Sequence, residues 1–318
     1  MPRPVDVPAL VAAAQEGSPR AVARLVSLVE DGAPQLREVM AALAPRTGRA
    51  RVVGLTGPPG VGKSTTTSAL VRAYRGRGLR VGVLAVDPSS PFTGGALLGD
   101  RVRMQEHVLD PGVYVRSMAS RGHLGGLSRA TPQALRVLDA AGCDVVLLET
   151  VGVGQSEVEV AGLADTTLVL LAPGAGDAVQ AAKAGILEVG DVFAVNKADR
   201  DGAEETVREL RQTLTLGAPP GPGDWRPPVL PLVASRGEGL DELLAALDGH
   251  RDWQGSTGAG RERRLLRAQR EVEALALQAV RERVGGVRDG AVLRAAAERV
   301  LAGETDPYAA ADALLAAV

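Results

Sequence analysis

The chain has 318 residues, of which 45% are hydrophobic and 23% charged, enough for about two domains or one large core with appendages. Its 36 basic and 38 acidic residues leave a net charge of −2, which supplies no overall drive toward nucleic acid or an acidic membrane. Two Trp, three Tyr and two Phe are too few for base-stacking platforms, and one Cys with three His excludes a disulfide framework and argues against an intrinsic zinc site.

No apolar run approaches a membrane span. The opening MPRPVDVPALVAAAQEG, with Asp6 and two early prolines, reads as a helix rather than a signal peptide, so a cytoplasmic protein is expected. Helical patterns within residues 5–46 break at Gly17-Ser18-Pro19 and Gly32-Ala33-Pro34, giving an N-terminal helical extension over 1–46. From Arg51 short apolar runs take over: Val52–Thr56, Val81–Val86, Val113–Val115, Val145–Glu149, Leu168–Leu171, Val192–Val195 and Val229–Val233. Helical candidates lie between several of them, at 63–76, 128–141, 177–189, 203–215 and 239–247. Buried strands alternating with helices predict an α/β core over 47–250, its mostly parallel sheet flanked by helices, with ligands at the carboxyl ends of the strands. Gly217–Pro228 is a Pro/Gly-rich loop before the last strand, and Gly249–Gly260 marks a boundary. Beyond it, 251–318 is Arg/Glu/Ala/Leu-rich and helical. The apolar spacing from Arg261 is too short for a coiled coil, and it suits either packing on the chain's own core or a dimer-forming arm.

The strongest chemical signal is Gly57-Pro58-Pro59-Gly60-Val61-Gly62-Lys63-Ser64, which fits G-x-x-x-x-G-K-[ST] between a strand and a helix. Its glycines let backbone N–H groups turn toward phosphate oxygens, and the helix N-terminus adds partial positive charge. Lys63 is expected on the β and γ phosphates, Ser64 on Mg²⁺ and Thr65 toward the α-phosphate. Only three of the basic residues are Lys: Lys63, Lys183 and Lys197. Where Arg otherwise replaces Lys, a surviving Lys marks a place that needs a compact ammonium.

A second motif, Asn196-Lys197-Ala198-Asp199, ends a strand. There Asp199 can accept from N1–H and the 2-amino group of guanine, whereas adenine would leave the carboxylate unpaired. Lys197 is expected along the purine face, Asn196 as a tie between loops, and Ala234-Ser235-Arg236 as a source of backbone contacts to the guanine oxygen. Asp87 and Glu149 each end a strand, and Asp100 sits in a glycine-bounded loop, so these three with Ser64 form the expected magnesium region. Glu149-Thr150-Val151-Gly152 stands where Asp-x-x-Gly is expected, with Gly152 free to turn its N–H onto a γ-phosphate.

Together with VDPSSPFTGGALLGDRVRM, SRGHLGG, ETVGVGQSEVEV, GDAVQAAKAGILEVGDVFAVNKAD and GETDPYAAADALL, these motifs resemble the MeaB/ArgK-type GTPases of the SIMIBI group of P-loop proteins, over roughly residues 20–318. The resemblance implies a homodimer that binds GTP/GDP with Mg²⁺. It also implies slow hydrolysis coupled to loading and protecting the cofactor of an adenosylcobalamin-dependent acyl-CoA mutase. It places Gly57–Thr65 in the phosphate loop, Asp199 at the guanine, Asp87, Asp100 and Glu149 around magnesium, and residues 176–188, with Gln180 and Lys183, in a loop that signals to the mutase. Lys63, Glu149, Gly152 and Lys183 are thus the expected catalytic and coupling residues. One departure stands out. Val233-Ala234-Ser235-Arg236 precedes Gly237-Glu238-Gly239 where Ser-Ala-x is usual, which leaves the register of the third base contact open by one residue. Val153 follows Gly152 where many small GTPases carry a water-orienting glutamine, and Gln155 is only nearby, so low intrinsic turnover raised by a partner is expected. The rival readings are a kinase of a transport protein of the ArgK style, for which the acceptor is a side chain instead of water, and a metal-insertion GTPase, for which the scattered His107, His123, His250 and Cys143 offer poor ligands. A methionine-rich targeting GTPase is disfavoured by the four Met.

Overall fold

Short runs rich in Val and Leu become strands here because helices cover them on both sides. In a computed structural model that describes residues 5–87, 105–107, 109–119, 130–150, 156–174, 185–216, 221, 223–288 and 291–316, seven strands form one sheet. They are β1 (Arg51–Thr56), β2 (Val81–Asp87), β3 (Val113–Ala119), β4 (Val145–Thr150), β5 (Thr166–Leu171), β6 (Val192–Asn196) and β7 (Val229–Leu232), in the order β3-β2-β4-β1-β5-β6-β7. Every pairing is parallel. A sheet of this kind is buried on both faces, and β4 and β5 are buried at every residue.

Alternate residues of the strands enter opposite cores. Leu55, Val83, Leu147 and Leu168 pack with Leu70 of α4 (Lys63–Gly76) and with Leu243 and Leu247 of α8 (Leu240–Thr257). Leu84, Val146 and Leu148 face the other way, toward Leu138 of α5 (Thr131–Ala140) and Val160 of α6 (Ser156–Leu163). On that same side Phe193 and Val195 meet Leu210 of α7 (Ala203–Thr215). The central β1 separates strands added on one side from strands added on the other. Its carboxyl end is therefore the topological switch point, where such sheets hold ligands.

The N-terminal helices α1 (Val7–Gln15), α2 (Pro19–Glu30) and α3 (Leu36–Leu43) belong to the same core as α5, through Val7, Leu25, Val39 and Leu43. Asp6 caps α1 by accepting from Ala9 N–H at 3.0 Å, and Ser18, followed by Pro19, caps α2 by accepting from Ala21 N–H at 3.3 Å. Asp139 of α5 fastens the turn into β1, accepting from the N–H groups of Gly48, Arg49 (3.2 Å) and Ala50 (2.9 Å).

Four elements differ from the sequence expectation. β3 runs on to Ala119, because the polar Arg116 is accommodated at the sheet edge by Ser27 and Glu30 of α2. α6 has a strand-like alternation in Ser-Glu-Val-Glu-Val and was not expected as a helix, yet Val160 anchors it to the core. Of the helix expected at 177–189, residues 177–184 lie outside the described residues, and Ile186–Glu188 is a single 3-10 turn. α8 does not stop at 247 but continues to Thr257, because His250 and Gln254 are buried against the sheet; Gly258 in the left-handed region ends it.

Contacts divide the chain into Met1–Gly260 and Arg261–Val318. The second unit holds most of α9 (Ala259–Arg288), then α10 (Ala291–Leu301) and α11 (Pro307–Ala316), with Asp306 capping the last through Tyr308 and Ala309 N–H. None of its described side chains is buried in the single chain, and Val272, Leu275 and Leu277 are at least half exposed. Among the described residues no helix is long and apolar enough to cross a membrane.

The Asp139 contacts make a test of how the N-terminal helices are tied to the sheet. Asp139→Ala leaves three N–H groups without their acceptor, so we expect a loss of about 1–2 kcal/mol in urea unfolding of the intact chain.

Candidate nucleotide site

The turn from β1 into α4 is set by two glycines whose conformation no other residue fits. Gly57 has φ 140°, and a Cβ there would strike the Leu170 carbonyl on β5. Gly62 has φ 97°, and a Cβ there would strike the Asn196 side chain. Gly62 is also the N-cap of α4 and supplies no side-chain cap, which places the N-terminus of that helix directly after the loop. Gly57, Pro58 and Val61 are buried, Pro59 and Gly60 are exposed, and Thr65 is exposed on the first turn of the helix.

Lys63 is 7% exposed and curls back over this loop, its Nζ donating to Gly57 O at 2.7 Å and to Pro58 O at 2.9 Å. Beside it, Ser64 Oγ donates to Glu149 Oε1 at 2.6 Å, and Thr67 Oγ1 lies 2.8 Å from Glu149 Oε2. Glu149 is only 4% exposed, so this buried carboxylate at the end of β4 takes hydroxyls from two successive turns of α4. Thr67 was not among the residues singled out from sequence; its position three residues after Ser64 on one helix face is the signal that could have found it. The next residue, Ser68, binds both Glu106 and His107, and the Ser68 hydroxyl, ahead of nearby Arg72, holds the Glu106 carboxyl below the usual carboxylate range.

Asp87 ends β2 next to the carboxyl end of β4, since Val86 pairs with Thr150; its side chain lies outside the described residues. Asp100, Gly152 and Lys183 also lie outside the described residues, as do Gln155 and Gln180. Among the described residues no three His, Cys, Asp or Glu side chains gather as a metal-binding group.

The second motif meets the first in space. Asn196, 3% exposed at the end of β6, donates from Nδ2 to Val61 O at 2.7 Å and accepts at Oδ1 from Ala234 N–H at 3.1 Å. One side chain thus ties the phosphate loop to the loop after β7. Lys197 adopts φ 58° and donates from Nζ to Gly60 O at 2.6 Å. Ala198 N–H donates to Leu232 O at 3.0 Å, which fixes the backbone just before Asp199. In the loop after β7, Ala234 N–H is taken by Asn196, and Arg236 N–H donates to Val233 O at 2.9 Å. Ser235 is exposed between them, and among the described residues no group accepts from its N–H.

The family model for methylmalonyl-CoA mutase-associated GTPase MeaB matches residues 22–289. The chain belongs to the MeaB family of GTPases. A protein of Pyrococcus abyssi named as a GTPase is 46% identical over 307 residues, covering 96% of this chain and 95% of its own. The mouse methylmalonic aciduria type A homolog, mitochondrial, is 42% identical over 194 residues, covering 60% of this chain and 46% of its own. Among solved structures, that of a LAO/AO transport system kinase superposes with a TM-score of 0.70 at 26% identity, covering 97% of this chain and 96% of the other. This MeaB-family chain is accordingly a P-loop GTPase that binds guanine nucleotide, with the α/β fold expected from its sequence.

The double tie through Asn196 is open to direct test in the nucleotide-free protein. Asn196→Ala leaves the Val61 carbonyl and the Ala234 amide without partners in a buried setting, so urea unfolding is expected to show a loss of about 2–3 kcal/mol before any nucleotide is added.

Proposed function

We propose that Gly57–Thr65 hold the phosphates of GTP while Asn196, Lys197, Asp199 and the loop 234–236 hold its base. The observation that carries this reading is the Asn196 side chain, which binds Val61 O of one loop and Ala234 N–H of the other. Phosphate oxygens would replace the Gly57 and Pro58 carbonyls as partners of Lys63, a simple exchange of acceptors on one ammonium. The α4 N–H groups, which have no capping side chain, would take the remaining oxygens. At the base, the N–H of Ser235 is the donor suited to the guanine oxygen, which supports the register Ala234-Ser235-Arg236. Asp199 then accepts from N1–H and the 2-amino group.

Ser64 and Glu149 present a hydroxyl and a carboxylate within hydrogen-bond distance of each other, a hard oxygen set that fits Mg²⁺. We assign Ser64 as a direct ligand and Glu149, with Asp87 and Asp100, to the surrounding shell. Bound there, Mg²⁺ would neutralise charge on the β and γ phosphates. In the hydrolytic step water attacks the γ-phosphorus and the bond to the β–γ bridging oxygen breaks. Lys63 stabilises the charge that develops, and the Gly152 N–H is assigned to the γ-phosphate. Lys183 is assigned to coupling between nucleotide state and partner.

The biological role proposed is that of a chaperone for cofactor loading and protection of an adenosylcobalamin-dependent acyl-CoA mutase. The family description, which names methylmalonyl-CoA mutase, and the mouse relative support it. The exposed apolar side chains of the Arg261–Val318 unit support a homodimer formed through that unit. A second reading, transfer of the γ-phosphate to a transport protein, is favoured by the name of the structurally similar LAO/AO transport system kinase.

Two measurements test these assignments. Asp199→Asn offers one acceptor and one donor in place of two acceptors, so GTP affinity should fall by at least ~100-fold while xanthosine triphosphate, with an oxygen at C2, gains affinity in fluorescent-nucleotide competition. Incubation with an adenosylcobalamin-dependent mutase should give a complex on gel filtration whose stability differs between GTP and GDP, with radiolabelled γ-phosphate released to water. Label on a protein side chain would favour the kinase reading instead.

A further inference from the structure

The Asp199 side chain is not alone at the base end of the site. Arg236 Nη2 stands 3.1 Å from Asp199 Oδ2, and its Nη1 stands 3.7 Å from Glu238 Oε1, so a single guanidinium spans two carboxylates. Both partners are anchored through their backbones. Val233 O accepts from Arg236 N–H at 2.9 Å and Gly237 N–H at 3.0 Å, and Val233 N–H donates to Glu238 O at 2.9 Å. On the other side, Ala198 N–H is held by Leu232 O, and Arg200 N–H by Lys197 O at 3.0 Å. The two backbones are thus set at a defined separation by the same stretch of β7 and its loop.

An ion pair this exposed, with Arg236 at 59% and Asp199 at 34% side-chain exposure, contributes little to folding. Its consequence is orientational. A carboxylate torsion has a broad, weakly preferred range, and two-point recognition of guanine needs both oxygens in the plane of the base edge. A planar guanidinium on one lone pair of Oδ2 restricts that rotation and leaves Oδ1 and the second lone pair of Oδ2 available, since an ionised carboxylate offers about four acceptor positions. The Glu238 contact holds the guanidinium in turn, so Arg236 can remain in place when a nucleotide enters.

We propose that the Arg236 side chain is a positioning residue that presets the Asp199 carboxylate for two-point recognition of guanine, and so sharpens the preference for a base carrying a 2-amino group. This rests on the reading of Asp199 as the guanine partner. It adds a side-chain role to a segment otherwise expected to act through its backbone.

The experiment compares GDP, IDP and ADP on the full chain by calorimetry, for the parent protein and for Arg236→Ala and Arg236→Lys. IDP lacks the 2-amino group, so the GDP/IDP ratio reads the second hydrogen bond and ADP reads the choice of purine. Arg236→Ala is expected to weaken GDP about three- to tenfold, the cost of ordering one free side chain on binding, and to shrink the GDP/IDP ratio about threefold. Arg236→Lys, which restores charge without the planar fork, should recover part of the GDP affinity but not the ratio. A GDP/IDP ratio unchanged in Arg236→Ala, with the parent still preferring GDP to ADP, would overturn the proposal and leave the Asp199 reading standing. A parent protein that does not distinguish GDP from ADP would overturn both. Thermal melts of the variants, expected to match the parent within about 2 °C, separate this role from collapse of the loop.

Discussion

The site depends on one buried amide. Asn196 sits at the end of β6 with 3% of its surface exposed, and each end of its side chain satisfies a backbone group from a different loop. Only a side chain with both a donor and an acceptor can serve Val61 O and Ala234 N–H together. An aspartate would face the carbonyl with like charge, and an apolar residue would leave both groups unpaired in a low-dielectric setting. The close approach of the Asn196 amide also explains why Gly62 carries no Cβ. The loop after β1 and the loop after β7 are therefore built as one object.

The sheet supplies the frame in which that amide can work. β1, β4, β5, β6 and β7 are parallel, so the carboxyl ends that carry Thr56, Glu149, Asn196 and Leu232 all lie along one edge. Lys63 and Ser64 open the helix that follows β1, the central strand, with Glu149 on its neighbour β4. The buried Glu149 is kept in contact with α4 by two hydroxyls, so the acid expected in the magnesium region is docked against the phosphate loop. Lys63, satisfied by two carbonyls of its own loop, holds an ammonium ready to change partners. A loop of this kind can hold a polyanion through backbone geometry and one cation, with no large basic surface needed.

Contiguous motifs were legible because their chemistry is local. The glycines, Lys63 and Ser64 lie within eight residues and have to be where the strand turns into the helix, and Asn196 to Asp199 follow directly on an apolar run. The parallel sheet, and most helices of the core, followed from the same alternation of apolar runs and helical periods, whereas the strand order around β1 is a finding of the structure. Less legible were the elements whose local pattern conflicts with their setting. Arg116 looks like a strand end until Glu30 of α2 is brought beside it, and the alternation in α6 suggests a strand until Val160 is seen packed in the core. His250 and Gln254 lie in a Gly-rich stretch and continue α8 only because the sheet buries them.

By itself the amino-acid order determined the class of protein, the position of the glycine-rich loop and of Asn196 to Asp199, and the acids that end strands, because each is specified by residue type and spacing over a few positions. Tertiary structure alone decided which of those pieces touch. Asn196 reaches Val61 across 135 positions, Thr67 joins Ser64 on Glu149, and Arg236 stands against Asp199 rather than free in solvent. Such contacts depend on the register of parallel strands and on which helix face meets them. A chain reports local periodicity in its own order, but two distant side chains become neighbours only when the sheet that carries them has closed.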